Sequence, residues 1–360
     1  AQSGEECLTW IIPKKWTVEE AYIERENGER IADASWHPLY LHAYSSAFSG
    51  KMEKKYLLQH VSSIPEQPDR LKYDYRRQFN YGEHNGWGFS LPHRVVESLR
   101  DETYLVHIDA HFDDGIMEVL DWTFPGESQD TVFFAAHSCH PALVNDGLAC
   151  IAVFLELFRW LKEKRERRYT YRLFVGPEYF AAAVILAKAR DIKDLKAGFF
   201  LDMAGNGKKM GFSRSFSNDS YIDHVASNVF NHNFPDHFET SYRGLWANDE
   251  MFYDGPGFHI PTLGVGRDRF DEYHTDRDDI ALCDFAQLEE TLTAFKDIVE
   301  ILEGDVVPAP KFKGPLYLRR YDLYIDYYKD NEGYKNLQNI QILMNGKNTC
   351  KRSCRNFTRK

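Results

Sequence analysis

The sequence predicts an α/β protein: a mixed, mostly parallel sheet sandwiched by helices, with an inserted small β-rich subdomain. Three observations predict it. From about residue 130, short apolar runs alternate with longer amphipathic stretches, the pattern of parallel strands joined by crossover helices. Residues 37–125 instead mix aromatics with turn signals, as in "YGEHNGWGFSL", and show no helical period. Finally, 360 residues suffice for one large α/β unit plus a smaller one. The expected organisation is an N-terminal part of the main domain (1–36), the insert (37–125), the main domain proper (126–305) and a C-terminal extension (306–360).

Taken in order, residues 8–33 hold two short β-like runs around an Asn27-Gly28 turn. In the insert, Tyr104, Val106 and Ile108 alternate as strand residues facing one core. "TVFFAA" (131–136) reads as a buried strand, followed by a helix over 146–165 with Leu148, Ile151, Leu155 and Phe158 on one stripe. "YTYRLFV" (169–175) is the next strand, then a helix from Glu178 to about Arg190. "AGFFLDM" (197–203) is the third strand. A helix near 219–231, a strand at "PTLGVG" (261–266) and a helix over 284–303 complete the domain. The last helix carries Leu288, Leu292, Phe295, Ile298 and Leu302 in helical register.

Composition excludes some partners. A net charge of −11 argues against nucleic acid and anionic membranes, which demand a basic face. The basic tail Gly346–Lys360 reads as a solvated terminus. Cys7, Cys139, Cys150, Cys283, Cys350 and Cys354 form no CxxC pair and no dense framework, so they are expected to be free thiols of a cytoplasmic protein. No run is long and apolar enough to span a membrane, and no secretory leader is evident. GxSxG, P-loop and GxGxxG patterns are missing, so serine-hydrolase and nucleotide chemistry lack support.

The expected strand ends carry the chemistry. His137 ends the first, and Asp146 opens the helix after it. Glu178 follows the second, Asp202 ends the third, and His274 follows the fourth in "DEYHTDRDD". Active sites of open parallel sheets gather at the carboxyl ends of strands. Imidazole and carboxylate are what Zn²⁺ takes, and a catalytic zinc leaves a position open for water. Singly, each residue has a plainer role: Asp146 an N-cap, Asp202 a loop hydrogen-bonder, His274 a satisfied polar residue. A second cluster, His107, Asp109, His111 and Asp113 at period two, could also bind a metal, but reads better as the wet face of a hairpin.

"AAHSCHPALVNDGLA", "GPEYFAAA", "LDM", "SYRGLWANDEMF" and "DEYHTDRDD" resemble the zinc-dependent aminopeptidase family, which includes bacterial leucyl-type aminopeptidases and, as a relative, glutaminyl cyclase. More narrowly, they are similar to an aminopeptidase-like subgroup found in bacterial polysaccharide and secondary-metabolite gene clusters. The resemblance runs from about Trp10 to Asp326. The stretch "NLQNIQILMNGKNT" resembles the start of a winged helix. The resemblance implies one or two zinc ions in a catalytic domain. His137 and Asp202 would hold one ion, His274 the other, and Asp146 would bridge both. Where the wider family has a Glu-Glu pair, this chain has Glu178 followed by Tyr179. Where the family follows its first ligand with x-Asp, this chain has Cys139 and adds His140. Either His140 replaces the lost carboxylate as a ligand or the site holds a single zinc. Glu178 is either the general base or a ligand, with the base favoured. Asp249, Glu250 and Tyr273 are candidate substrate-binding residues, the acidic pair facing a substrate amine.

The expectation is therefore a zinc-dependent hydrolase of aminopeptidase type, cleaving an amide in a small peptide or an aminoacyl or acylamino conjugate with a free amine. One alternative is a deacylase or amide-forming enzyme acting on a sugar or natural-product intermediate. The other is a catalytically silent homologue used as a binding or scaffold module. Self-association into a homo-oligomer stays open.

Overall fold

The computed structural model describes residues 1–75, 86–164, 166–244 and 248–344. After a two-residue antiparallel pair at Glu6–Cys7 and Trp10–Ile11, the chain forms a small antiparallel sheet. It comprises β1 (Lys15–Glu24), β2 (Arg30–Asp33), β3 (Phe48–Glu53) and β4 (Thr103–Asp113), in the order β2-β1-β4-β3. The turn between β1 and β2 is the expected one: Gly28 has φ +84°, and the Asn27 side chain accepts the Glu29 N–H. On β4, Tyr104, Val106, Ile108 and Ala110 are buried, while His107, Asp109, His111 and Asp113 point away from that core. The boundaries differ from expectation. β1 and β2, assigned from sequence to the main domain, pair into the small sheet, because β4 is long enough to template β1 along its whole length.

The main sheet has seven strands: β5 (Leu120–Phe124), β6 (Thr131–His137), β7 (Thr170–Gly176), β8 (Leu195–Asp202), β9 (Met210–Ser213), β10 (Phe238–Thr240) and β11 (Thr262–Arg267). Their order is β10-β9-β11-β8-β6-β7-β5. β7, β6, β8 and β11 run parallel, while β5 and β9 join antiparallel. β5 lies within 37–125, the stretch expected to form the insert, yet it pairs with β7 of the main sheet. β9 and β10 are three or four residues each, too short for period-two alternation to show in the sequence.

The central strand β6 explains the layering. It is buried throughout, so its alternation separates two apolar sets. Val132, Phe134 and Ala136 join one core with α1 (Ala149–Glu163), α3 (Tyr221–Asn233) and α4 (Phe285–Gly304). Phe133 and Ala135 join the other, with α2 (Phe180–Lys188) and N-terminal Cys7 and Ile12. Close packing dictates a glycine here: a Cβ at Gly198 on β8 would lie 2.0 Å from the Phe133 ring. Burying Phe134 fully against Phe154, Phe199 and Phe295 stabilises the fold by roughly 2–3 kcal/mol.

Side-chain caps mark the starts of α3 and α4. Ser220 and Asp223 form a reciprocal capping box on α3, and Asp284 caps α4. The stripe of α1 is corrected. Leu148 and Leu155 are 48% and 45% exposed, and the buried face is Cys150, Val153, Phe154, Leu157, Phe158 and Leu161. The segment is apolar on most sides, so the periodicity fits more than one phase, and the sheet selects one. The chain also breaks at Asp146–Gly147, so the helix begins at Ala149.

No residue from 306 to 344 is buried, although α5 (Asn331–Leu343) forms with an Asp330 cap. The basic tail, Cys350 and Cys354 lie outside the described residues; the other four cysteines are free thiols. Among the described residues no helix is long and apolar enough to cross a membrane.

Candidate metal centre

The carboxyl ends of the parallel strands place the candidate residues side by side. His137 closes β6 opposite Gly176, after which the chain turns through Pro177 to Glu178. Asp202 closes β8, opposite Gly266 on β11. Asp146 arrives on the loop between β6 and α1, through a single helical turn with non-helical angles at Asp146 (φ −81°, ψ 55°) and Gly147 (φ +139°, ψ −65°). Only glycine suits position 147, since a Cβ there would lie 2.7 Å from the His137 carbonyl. The fully buried Asp278 fixes this turn by accepting the N–H groups of Asn145 (2.7 Å) and Asp146 (3.0 Å). Asp146 is therefore not the N-cap of α1; its carboxylate is aimed at histidines.

Two sets of donors share that carboxylate. His137 Nε2 lies 3.4 Å from Asp146 Oδ1 and 3.4 Å from Asp202 Oδ1. On the other oxygen, Asp146 Oδ2 lies 3.3 Å from His140 Nε2 and 3.2 Å from His274 Nε2. Donors about 2.0–2.1 Å from a tetrahedral zinc lie roughly 3.3–3.4 Å from one another; the four distances above match that spacing, and the remaining pair in each set lies within 4.8 Å. Asp146 Oδ2 is buried with no well-formed hydrogen bond among the described residues. Two carboxylates buried together with imidazoles are costly without a cation to offset them. The residues fit zinc.

The remaining contacts orient these groups. His137 Nδ1 faces Cys139 Sγ at 3.3 Å, and the Met203 N–H and Asn248 side-chain amide donate to Asp202 at 2.8 and 3.3 Å. Such partners on the far side of a ligand hold its orientation. Burial opposes charge on Asp146, but the imidazoles of His137, His140 and His274 around it outweigh burial and hold the carboxyl well below its usual range. Burial likewise opposes protonation of His137, yet Cys139, Asp146 and Asp202 hold it well above the ordinary histidine value. Asp202 is raised by burial and by Asp146 beside it.

Glu178 has a donor atom within 4.8 Å of both a His137 nitrogen and Cys139 Sγ, beside the first set. Burial raises its pKa, with Asp202 and Asp146 adding to the shift. It lies two residues before α2, not in the first turn of that helix. Tyr179, the residue after it, has φ +64° and packs its ring against Trp10 and Phe252.

The expected substrate acids are placed unequally. Asp249 accepts the Tyr179 N–H at 2.6 Å and is pushed up to about 8 by burial and by Glu178. Both oxygens of Glu250 accept the Asn248 N–H at 3.0 Å, which commits it to the backbone; burial pushes it up to about 7. Tyr273 is 39% exposed and stacks on the His274 ring at 3.9 Å. The separate cluster on β4 does not assemble: His111 pairs with Asp113 at 3.2 Å, His107 faces Ser49, and no metal grouping arises there among the described residues. Asn145, Asn248, Asp278 and Tyr73 escaped the sequence reading. Asp278 lies within the quoted "DEYHTDRDD", but nothing in the spacing separates it from its acidic neighbours.

Known proteins bear out the resemblance at the level of fold. A polysaccharide-related protein of Clostridium acetobutylicum, described as a "putative polysaccharide biosynthesis protein with aminopeptidase-like domain", is 26% identical over 84% of this chain and 69% of its own length. A crystal structure of a "putative peptidase" from the same species matches with a TM-score of 0.82 at 23% identity, over 99% of this chain and 81% of that one. A zinc aminopeptidase from Bacillus subtilis matches with a TM-score of 0.58 at 12% identity, over 81% and 82%. The fold is thus aminopeptidase-like. One family model, described as a domain of unknown function (DUF4910), matches residues 1–305, and the chain belongs to that family.

Proposed function

We propose that the protein is a zinc-dependent hydrolase of aminopeptidase type that cleaves an amide bond in a small peptide or an aminoacyl or acylamino conjugate. The observation that carries this reading is the Asp146 carboxylate, whose two oxygens each face a separate set of donors. His137, Asp146 and Asp202 would hold one ion, and His140, Asp146 and His274 a second, with His140 taking the place of the lost carboxylate. When bound, zinc supplies Lewis acidity for an amide carbonyl and lowers the pKa of water.

The protein's own groups do the rest. The Glu178 carboxylate accepts a proton from the attacking water and returns it to the leaving amine; its raised pKa suits both transfers. Asn248 and Met203 hold Asp202, and Asp278 holds the turn that presents Asp146. Of the acidic pair, Asp249, buried and accepting the Tyr179 N–H, is the group assigned to meet a substrate amine. Free thiols at Cys7, Cys139, Cys150 and Cys283 support a reducing, cytoplasmic setting.

Elemental analysis of wild type, Asp146→Asn and His140→Ala tests the assignment. Two ions per chain are expected in wild type, close to none in Asp146→Asn, and one in His140→Ala. Equal metal in wild type and Asp146→Asn would sink the reading. A wild type that takes up no zinc supports a silent binding module instead. A second enzymatic reading, deacylation or amide formation on a sugar intermediate, is favoured by the name of the Clostridium relative. Hydrolysis of aminoacyl-sugar amides but not of aminoacyl anilides would select it.

A further inference from the structure

The two donor sets share Asp146, but their other ligands come from different parts of the fold. His137 and Asp202 end strands of the main sheet, whereas His140 and His274 lie on loops, and His274 adopts φ +55°. What holds those loops comes from the insert. Residues 67–75 run along 271–276 as a strap. The Leu71 N–H donates to the Asp276 carboxylate at 2.9 Å, and the Asp276 N–H returns to the Leu71 carbonyl at 3.2 Å. Lys72 forms an antiparallel bridge with Thr275, and the Tyr73 N–H donates to the His274 carbonyl at 2.8 Å. Arg70 pairs with Glu272 at 3.2 Å.

At the end of the strap, the Tyr73 ring stacks on His140 with centroids 4.0 Å apart and planes 20° apart. It meets His274 edge-on at 5.3 Å, while His140 and His274 are themselves perpendicular at 5.2 Å. Tyr73 is 4% exposed and packs beside Leu39, Leu71 and, from the His140 loop, Ala142. One aromatic ring thus fixes the plane of one candidate ligand by its face and the position of the other by its edge and backbone.

We infer that Tyr73 is the positioning residue of the second metal half-site, so that the insert sets the affinity of the ion held by His140, Asp146 and His274. This rests on the two-ion reading proposed above. In the first half-site, His137 and Asp202 end strands of the main sheet, and Asp146 is held by Asp278 rather than by the strap. Losing a partner that orients a ligand typically weakens metal binding by about 10–100-fold. The ring, not the hydroxyl, makes the stack.

The test is zinc titration of the metal-free full chain, followed by elemental analysis and by visible spectroscopy of the cobalt-substituted protein. Tyr73→Leu keeps an apolar side chain in the Leu39–Leu71 cluster but removes the stack; Tyr73→Phe keeps both. Tyr73→Leu should retain the tighter ion, lose roughly 10–100-fold in affinity for the weaker one, and alter only part of the cobalt spectrum. Tyr73→Phe should restore the second ion. Circular dichroism of the metal-free variants distinguishes lost binding from lost folding. Two tightly held ions in a folded Tyr73→Leu overturn the inference, as does Phe behaving like Leu, which would assign the role to the hydroxyl. A Tyr73→Leu that does not fold overturns it unless Tyr73→Phe, folded, keeps the second ion and His140→Ala, also folded, loses it. A wild type binding one ion, with His140→Ala unchanged, refutes the two-ion reading itself and this inference with it.

Discussion

Replacing Glu178 with Gln separates base, ligand and bystander. The bystander explanation is electrostatic: a carboxylate near a helix N-terminus gains about 0.3–1 kcal/mol from the helix dipole. The structure reduces even that, because α2 starts at Phe180 and Glu178 stands outside its first turn. Burial already raises the carboxyl pKa, so exchanging it for a neutral amide of the same size should cost the metal-free fold at most about 1 kcal/mol. Catalysis should respond differently. Gln keeps the shape and a hydrogen bond but cannot accept a proton, so kcat should fall by roughly 10²–10⁴-fold, the usual range for general acid–base catalysis. Zinc content should be unchanged. The assay is zinc per chain, kcat and chemical denaturation on one preparation, with an amide substrate found by screening. A parallel loss of zinc and activity would make Glu178 a ligand, in line with its approach to His137 and Cys139, and would move the search for a base to Asp249. A variant that keeps zinc and kcat removes Glu178 from the mechanism.

Two further outcomes follow from the site's geometry. Asp278→Ala orphans the buried N–H groups of Asn145 and Asp146, at about 1–3 kcal/mol each, so denaturation of the metal-free protein should show a loss of at least one such increment. Zinc affinity should fall too, because the same turn aims Asp146; unchanged stability would refute the role given to Asp278. The second outcome concerns pH. His137 is held above its ordinary value in the metal-free protein, so its proton stabilises that state fully below the unfolded histidine pKa, and the benefit is lost as pH rises through the folded value. Zinc must displace the proton, so uptake should release protons and strengthen as pH rises. Calorimetric titration in two buffers of different ionisation enthalpy measures the release; none near neutral pH would contradict the state assigned to His137.

The parts of this protein legible in sequence were those with short-range causes. β6, β7, β8 and β11 announced themselves as apolar runs, and their ends named His137, Asp202 and the neighbourhood of Glu178. Asp146 was legible as a residue but not as a geometry. Its break from helical angles depends on Asp278, more than a hundred residues away, accepting two backbone N–H groups. Tyr73 was hidden for the same reason: it lies in a stretch without periodicity, and its partners, His140 and His274, arrive from two other loops. The boundary of the insert was misplaced because hairpin β1–β2 reads alike whichever sheet it joins. Only the pairing of β1 with β4 decides that.

The two departures from the wider aminopeptidase pattern make sense together. Tyr179, where a second Glu would stand, turns through φ +64° and packs its ring against Trp10 and Phe252. His140, absent from that pattern, puts Nε2 3.3 Å from the Asp146 oxygen that a second ion would share. As a metal ligand, an imidazole in place of a carboxylate would leave the second set with one fewer negative charge. It also leaves that set poorer in oxygen, which favours zinc over magnesium, calcium or manganese. An imidazole can also be held by stacking, which a carboxylate cannot, and the ring that stacks on it belongs to the inserted subdomain. The changed ligand and the insert are therefore parts of one arrangement: His140 needs a partner for its face, and the strap that ends in Tyr73 provides it.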